Sequence, residues 1–528
     1  MLMRQIAALR RPLRSKAHRG RISNIISHAA PTNGWNARDP IAEMKPEDAI
    51  VMDDMFPTPA DVMLRKGITD HVTGLVNQVE SLMPYNTPAG TQTLFAAAGT
   101  SIFNTTSAGA VGAAVVTGLS NARWQDVNFT NSSGDSYLCC FNGADSPRYW
   151  NNSAWITITG VSTPAITGLT TSTIVSAAIH QRRMWFVQKD TLDAWYLAAD
   201  SVGGAATKFS LAGMAKRGGY LMAIDTWTLD AGTGTDDFIV FVTSEGEVIV
   251  YAGTDPSSAA TWGLKGVWHI GEPIGRRCLK KFGGDLLLIL VNGVFPLSKA
   301  LLSASIDRSV ALTDRITQAM NTAALSNSAN FGWELCHFPA ANMLLLNVPI
   351  NEGSLQQQYV MNVLTGAWCR FTGYNGNCFA VFNGELYMGG AGTVSKCWST
   401  FGDNGIAILG IVETAFDYFK SRTKKSFKML RPIISSNGSP AITAGLDIDY
   451  NDADRVSTAT FTTVTSALWG ISLWGIGLWG SGLQTLRNWI GVSEIGLSAA
   501  TRLHVNANGI EVRWQATDYL YEVGEGVV

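Results

Sequence analysis

Tyr359-Val360-Met361-Asn362-Val363-Leu364-Thr365-Gly366-Ala367-Trp368-Cys369-Arg370-Phe371 is a pair of short apolar runs joined by a Thr-Gly turn. Glycine takes the positive φ that a tight hairpin loop needs, so the stretch reads as two antiparallel strands. The same grammar recurs along the chain. Residues 238–242 and 248–251 flank Ser244-Glu245-Gly246, and residues 286–291 and 294–297 flank Asn292-Gly293. The protein is therefore mainly β and built of repeated units.

A shorter marker, Phe followed by Asn-Gly or Gly-Gly, stands at Phe141, Phe282 and Phe382. The gaps are near three and two multiples of about 48 residues, inside the range of about 40 to 50 expected of propeller blades. The expectation is a β-propeller of six or seven blades. One helix interrupts it at residues 313–326, with Thr313 as cap, Asp314 in the first turn, and Ile316, Met320 and Ala323 or Ala324 at helical spacing. It reads as an insertion between blades.

A composition shift at residues 402–405 divides the chain into a basic arm (1–30), a propeller with an N-terminal docking segment (31–404) and a C-terminal β domain (405–528), sandwich-like or a tube wall. In the last of these, Ile510, Val512 and Trp514 alternate with Glu511 and Arg513 after the Asn508-Gly509 turn, with Leu503 and Val505 opposite. That pattern predicts a half-buried antiparallel hairpin. Near the start, Met44-Lys45-Pro46-Glu47-Asp48-Ala49 reads as a short helix with Pro46 in its first turn, stopped by Phe56-Pro57-Thr58-Pro59.

The 528 residues are 46% hydrophobic but only 15% charged, with 17 Trp. Such a chain fills real cores and is not disordered. Its low charge implies surface buried between subunits, hence an obligate oligomer. Seven Cys are an odd number without CxxC spacing, which favours small core residues in a reducing compartment over a disulfide framework. The seven His show no HExxH or paired Cys/His spacing, so no zinc site is expected.

Charge is unevenly spread. Arg4, Arg10, Arg11, Arg14, Lys16, Arg19, Arg21 and Arg38 precede the first acid, leaving 31 bases against 41 acids in the remainder. The arm lacks the apolar run of a secretory signal. It suits a transit peptide by composition, an arm touching nucleic-acid phosphate or an acidic partner subunit, or a tail without a role. Within the uncharged residues 456–486, Leu-Trp-Gly recurs three times, placing Trp469, Trp474 and Trp479 five residues apart. Five matches neither strand nor helix period, so each Gly turns the chain. A membrane helix fits such glycine-rich sequence poorly. Packing within the domain, packing between subunits, and a tip touching a membrane or receptor remain as readings of these Trp.

Chemistry has few candidates. Asp447, Asp449, Asn451, Asp452 and Asp454 alternate as in calcium loops, but the sixth and twelfth EF-hand positions hold Asp452 and Thr458 instead of Gly and Glu. No GxSxG, GxxxxGK[ST] or strand-borne GxGxxG is present. Residues 255–262 share Thr-Trp with the sialidase Asp-box and depart from the rest of it, and no carboxylate pair can be placed as a glycosidase needs. Neither catalysis nor a cofactor is expected.

Several stretches resemble the tail hub or nozzle (tail tubular B-like) proteins of short-tailed, podovirus-type bacteriophages. They are Gly34-Trp35-Asn36-Ala37-Arg38-Asp39-Pro40 and Asp48-Ala49-Ile50-Val51-Met52-Asp53-Asp54-Met55-Phe56-Pro57 at the start. In the middle, Val250-Tyr251-Ala252-Gly253-Thr254-Asp255-Pro256 and Ile270-Gly271-Glu272-Pro273-Ile274-Gly275-Arg276-Arg277 are similar, as are Gly283-Gly284-Asp285-Leu286-Leu287 and Val291-Asn292-Gly293-Val294. Ala516-Thr517-Asp518-Tyr519-Leu520-Tyr521-Glu522-Val523-Gly524 closes the set, which spans most of residues 31–524. The resemblance implies a propeller with further β domains, assembled as a homo-oligomeric ring, usually a hexamer, below the portal and adaptor proteins. It implies a virion tail protein made in the bacterial cytoplasm, with tail fibres or spikes as neighbours, host-envelope contact at the tip, and phage DNA passing through the lumen unbound. Neither the arm nor the Leu-Trp-Gly triplets belong to the family pattern. An acidic body suits a slippery lumen, because each basic contact adds a salt-sensitive attraction to DNA. Two rival readings stand beside it: a receptor-binding or glycan-degrading tail protein, and a cellular propeller scaffold acting as a monomeric binding module.

Overall fold

The computed structural model describes residues 23–230, 235–301, 308–451, 456–459 and 483–523. Among them, consecutive antiparallel meanders follow one another as the repeated hairpin grammar requires. Three are complete four-stranded sheets: Gln125–Thr130 to Trp155–Thr157, Ile174–His180 to Thr207–Ser210, and Leu221–Asp230 to Trp262–His269. A three-stranded sheet, Leu279–Phe282, Asp285–Leu290 and Gly293–Pro296, comes next. The stretch quoted at the outset is a hairpin of Leu355–Asn362 with Trp368–Phe371, turned at Gly366 with φ +71.

The sheets are arranged as propeller blades, and the chain closes its own ring. Gly67–Asn86 is a twenty-residue strand serving two sheets. Its first half pairs with Ala391–Thr400 and so completes the sheet of Cys378–Phe382 and Glu385–Gly389, while its second half pairs with Gln92–Ala98. Asn77, with φ 72, marks the change between the halves. Closure thus joins residues more than 300 positions apart, removing an open sheet edge.

Neighbouring blades pack through aromatic layers. Trp185 stacks on Trp262 at 5.5 Å, with Phe209, Phe241 and Tyr251 around them. Burying such rings contributes more than area alone, because edge and face contacts add about 0.5–1.5 kcal/mol per pair. All seven cysteines are buried and unpaired, as small core residues.

Most of the remaining strands form two larger sheets sharing the main apolar core. One carries Lys425–Ser436 and Val512–Val523 at its centre. The other runs from the blade of Trp368–Phe371 through Gly34–Trp35 and Asp48–Asp53 to Ile408–Thr414, Ala499–Ala507 and Ala441–Ile448. Gly34 slips between two strands where a Cβ would lie 2.4 Å from the Trp368 carbonyl. Tyr519 and Thr501 join the sheets through their hydroxyls, 2.6 Å apart.

Four expectations need correction. Of the strands within residues 34–64, placed with the propeller, two pair with strands after residue 404, Asp48–Asp53 with Ile408–Thr414 and Val62–Leu64 with Val512–Val523, while Gly34 and Asp53 also pair with Trp368 and Arg370 of a blade. Leu503 and Val505 are not hairpin partners of Val512 and Trp514. Ala499–Ala507 pairs with Ile408–Thr414 and Ala441–Ile448, while Val512–Val523 lies in the other sheet. The Asn508-Gly509 turn carries the chain across the core, so the apolar faces meet through packing instead of through a ladder. Residues 44–49 form turns leading into Asp48–Asp53; Asp48 accepts from Asn36 at 2.9 Å and from Arg315 at 3.1 Å, which ties the segment down as strand. Finally, Thr313 does not cap the helix. Its hydroxyl accepts from the Val294 amide at 3.1 Å, a 3-10 turn Asp314–Ile316 intervenes, and the α-helix is Thr317–Asn327.

Candidate functional site: the axial cavity

One cavity of ≈ 450 Å³ lies where the blades converge. Seven strands or their approaches reach it, contributing for example Leu82, Asp126, Ala178, Ile224, Lys280, Glu334 and Phe379. Each comes from the strand that opens its meander, and Leu82 comes from the closing strand. Ring closure therefore builds the cavity.

Its charged groups come mainly from one short stretch, Arg276-Arg277-Cys278-Leu279-Lys280-Lys281, against Asp126, Asp225 and Glu334. Both terminal nitrogens of Arg277 are engaged. It donates to Glu334 Oε2 at 3.0 Å, to Ser81 Oγ at 2.6 Å, and to the carbonyls of Glu80 and Trp124 at 2.9 and 3.0 Å. Glu334 also accepts from the Phe379 amide. This constellation pins the closing strand to three meanders at once. Lys281 reaches Asp225 at 3.3 Å and Thr226 Oγ1 at 2.5 Å. Arg276 lies over the Tyr220 ring and 3.7 Å from Asp190, and burial lowers its pKa.

Burial raises the three carboxyls above their ordinary range, in spite of Arg277 or Lys281 close by, and Asp126 stands at about 6. Asp126 is exposed on the cavity wall, and the mass of protein around that wall weakens the solvation of its charge. A carboxyl near neutrality beside an unshared ammonium can exchange a proton or orient a polar ligand.

The sequence did not single out these residues. The available signal was two closely spaced pairs of bases, Arg276-Arg277 just before and Lys280-Lys281 within the short strand Leu279–Phe282. The basic residues it did select, Arg4, Arg10, Arg11, Arg14, Lys16, Arg19 and Arg21, lie outside the described residues, as do Trp469, Trp474 and Trp479. The calcium-like carboxylates have other duties. Asp447 accepts from Arg502 at 2.8 Å, and Asp449 accepts from the amides of Leu497 and Ser498, both at 2.8 Å. Asp452 and Asp454 fall outside the described residues. Among the described residues no group of three or more His, Cys, Asp or Glu is placed to hold a metal, and no helix is long and apolar enough to cross a membrane.

The fold of this site is that of a β-propeller joined to a two-sheet β platform. No protein-family model matches the chain, and no curated protein matches it. Among solved structures, it is similar to the β-propeller domain of Cps50 (Swd1) from Myceliophteria thermophila, at 11% identity and a TM-score of 0.37, covering 63% of this chain and 100% of that one. It is also similar to BBS1N crystallised in complex with ARL6DN and soaked with lead, at 10% identity and a TM-score of 0.36, over 64% of this chain and 99% of that one. The mercury-soaked form of that complex gives 9% identity, a TM-score of 0.36, and coverages of 63% and 97%.

Proposed function

We propose that the protein is a structural component of a short-tailed phage tail, a nozzle or hub ring that forms the conduit and gate for DNA ejection. The observation that carries this reading is how the segment bearing the opening resemblance is used. Gly34–Trp35 lies between a propeller strand and a platform strand, and Asp53 of the same segment holds Arg370 at 2.7 and 2.6 Å. The resembling residues thus weld propeller to platform, as a load-bearing ring wall requires. The axial cavity is crossed by ion pairs and is too small for a duplex whose major groove alone is about 12 Å wide. DNA would pass between copies, which calls for a closed ring with head-to-tail contacts. Strand Ser23–Ala29, next in sequence after the basic arm, pairs with Val512–Val523, and in this reading the arm docks on an adaptor ring. Fibres or spikes and the host envelope are the further neighbours in this reading.

Light scattering of the purified protein, alone and with an adaptor ring, followed by negative-stain imaging, tests it. A ring with a central channel is expected, alone or on the adaptor. A persistent monomer that ignores the adaptor and binds or cuts glycan would overturn the reading in favour of an adhesin or hydrolase.

A further inference from the structure

We propose that the axial cavity is a binding site for a small organic oxyanion, a carboxylate or a phosphate ester, with Lys280 holding its charged end. The cavity falls within the roughly 300–1,000 Å³ typical of small-molecule sites. Four bases face three acids there, and two of the pairs are closed: Arg277 with Glu334, and Lys281 with Asp225. Lys280 is different. Its ammonium acts on Asp126, Asp225 and Glu334 alike, yet it makes no contact ion pair or hydrogen bond among the described residues. Lys280 is half-buried, and an oxyanion supplies the charge-assisted bond that the protein does not. A cationic ligand would be repelled by the Lys280 ammonium. Ala177, Ile179 and Leu279, half-buried on an otherwise polar wall, leave apolar surface for a short carbon skeleton, which favours an organic anion over a bare ion.

This inference does not depend on the ring reading, since the cavity lies within one chain and either can fail alone. The experiment is titration calorimetry of the full chain with inorganic phosphate and with benzoate, each against chloride at equal ionic strength. Saturable binding of at least one is expected, and which one binds distinguishes phosphate from carboxylate as the source. Lys280→Met should weaken it about tenfold, the value of one charge-assisted hydrogen bond. Lys280→Arg, which keeps the charge, should retain binding, as should Asp126→Asn, with circular dichroism confirming the fold of each. No saturable binding of either anion, or binding by Lys280→Met equal to that of the native protein, would overturn the proposal; loss in Lys280→Arg as well as in Lys280→Met would overturn the role of charge.

Discussion

Two of the interior places where arginine and carboxylates meet are used differently. At the joint between propeller and platform, Arg65 is fully buried and all three of its nitrogens donate. It reaches Asp54, holds Asp403 through two bonds of 2.9 and 2.7 Å, donates to the Lys66 carbonyl, and lies 4.6 Å above the Tyr374 ring. Burial works against its charge, but the hydrogen bond to Asp403 and the field of Asp54 more than offset this, so its pKa is raised. In the axial cavity, Arg277 is similarly engaged, while Lys280 and Asp126 are left over. The first arrangement locks two parts of the chain; the second keeps charge in reserve where a ligand could use it.

The largest expected effect lies at the joint. Arg65→Met strands Asp54 and Asp403 without their partner, which for a buried pair costs about 3–5 kcal/mol. Denaturant unfolding should show that loss; a change below about 1 kcal/mol would mean that the joint is no tighter than a surface pair. Gly67→Ala comes next. Its Cβ would sit 2.0 Å from the Gly402 carbonyl oxygen, backbone against backbone, so the joint must open, at about 1–3 kcal/mol as for overpacking elsewhere. A lower thermal midpoint with unchanged far-ultraviolet dichroism is the expected readout. Tyr374→Phe keeps the ring under Arg65 but removes the 2.6 Å bond from its hydroxyl to Lys66, and should cost about 1 kcal/mol.

The contrast also marks how far sequence could be read. Hairpins were legible because turn glycine and strand alternation are local: residues 238–242 pair with 248–252, and 287–290 with 293–296, close to where the pattern put them. The phenylalanine marker was less uniform than it looked. Phe282 and Phe382 end the first strands of their meanders, whereas Phe141 ends a second strand. What local pattern could not carry was long-range pairing. Nothing around Arg65 names Asp403, 338 residues away, and nothing around Asp126 names Lys280. Strand alternation in Ala499–Ala507 and Val512–Val523 was read correctly, but alternation says which face is apolar and not which ladder a strand joins.

The smallest effect is the most diagnostic, because its sign separates the two places. Burial lifts Asp126 to about 6, above the ordinary value of about 3.9 for an unfolded chain. Between those values the folded state holds the proton more tightly, so this group's contribution to stability is present at low pH and is lost as pH rises through about 6. Above it, an ionised carboxylate sits where solvation is poor, a penalty that an amide does not carry. Asp126→Asn should therefore be more stable than the native protein at pH 7.5, by at most about 1 kcal/mol because cavity water screens the charge, and the difference should vanish below pH 4. Unfolding curves at the two pH values measure it. A destabilised variant at pH 7.5 would mean that Asp126 and Lys280 act as a closed pair, that the cavity is as saturated as the joint, and that no charge is held there in reserve.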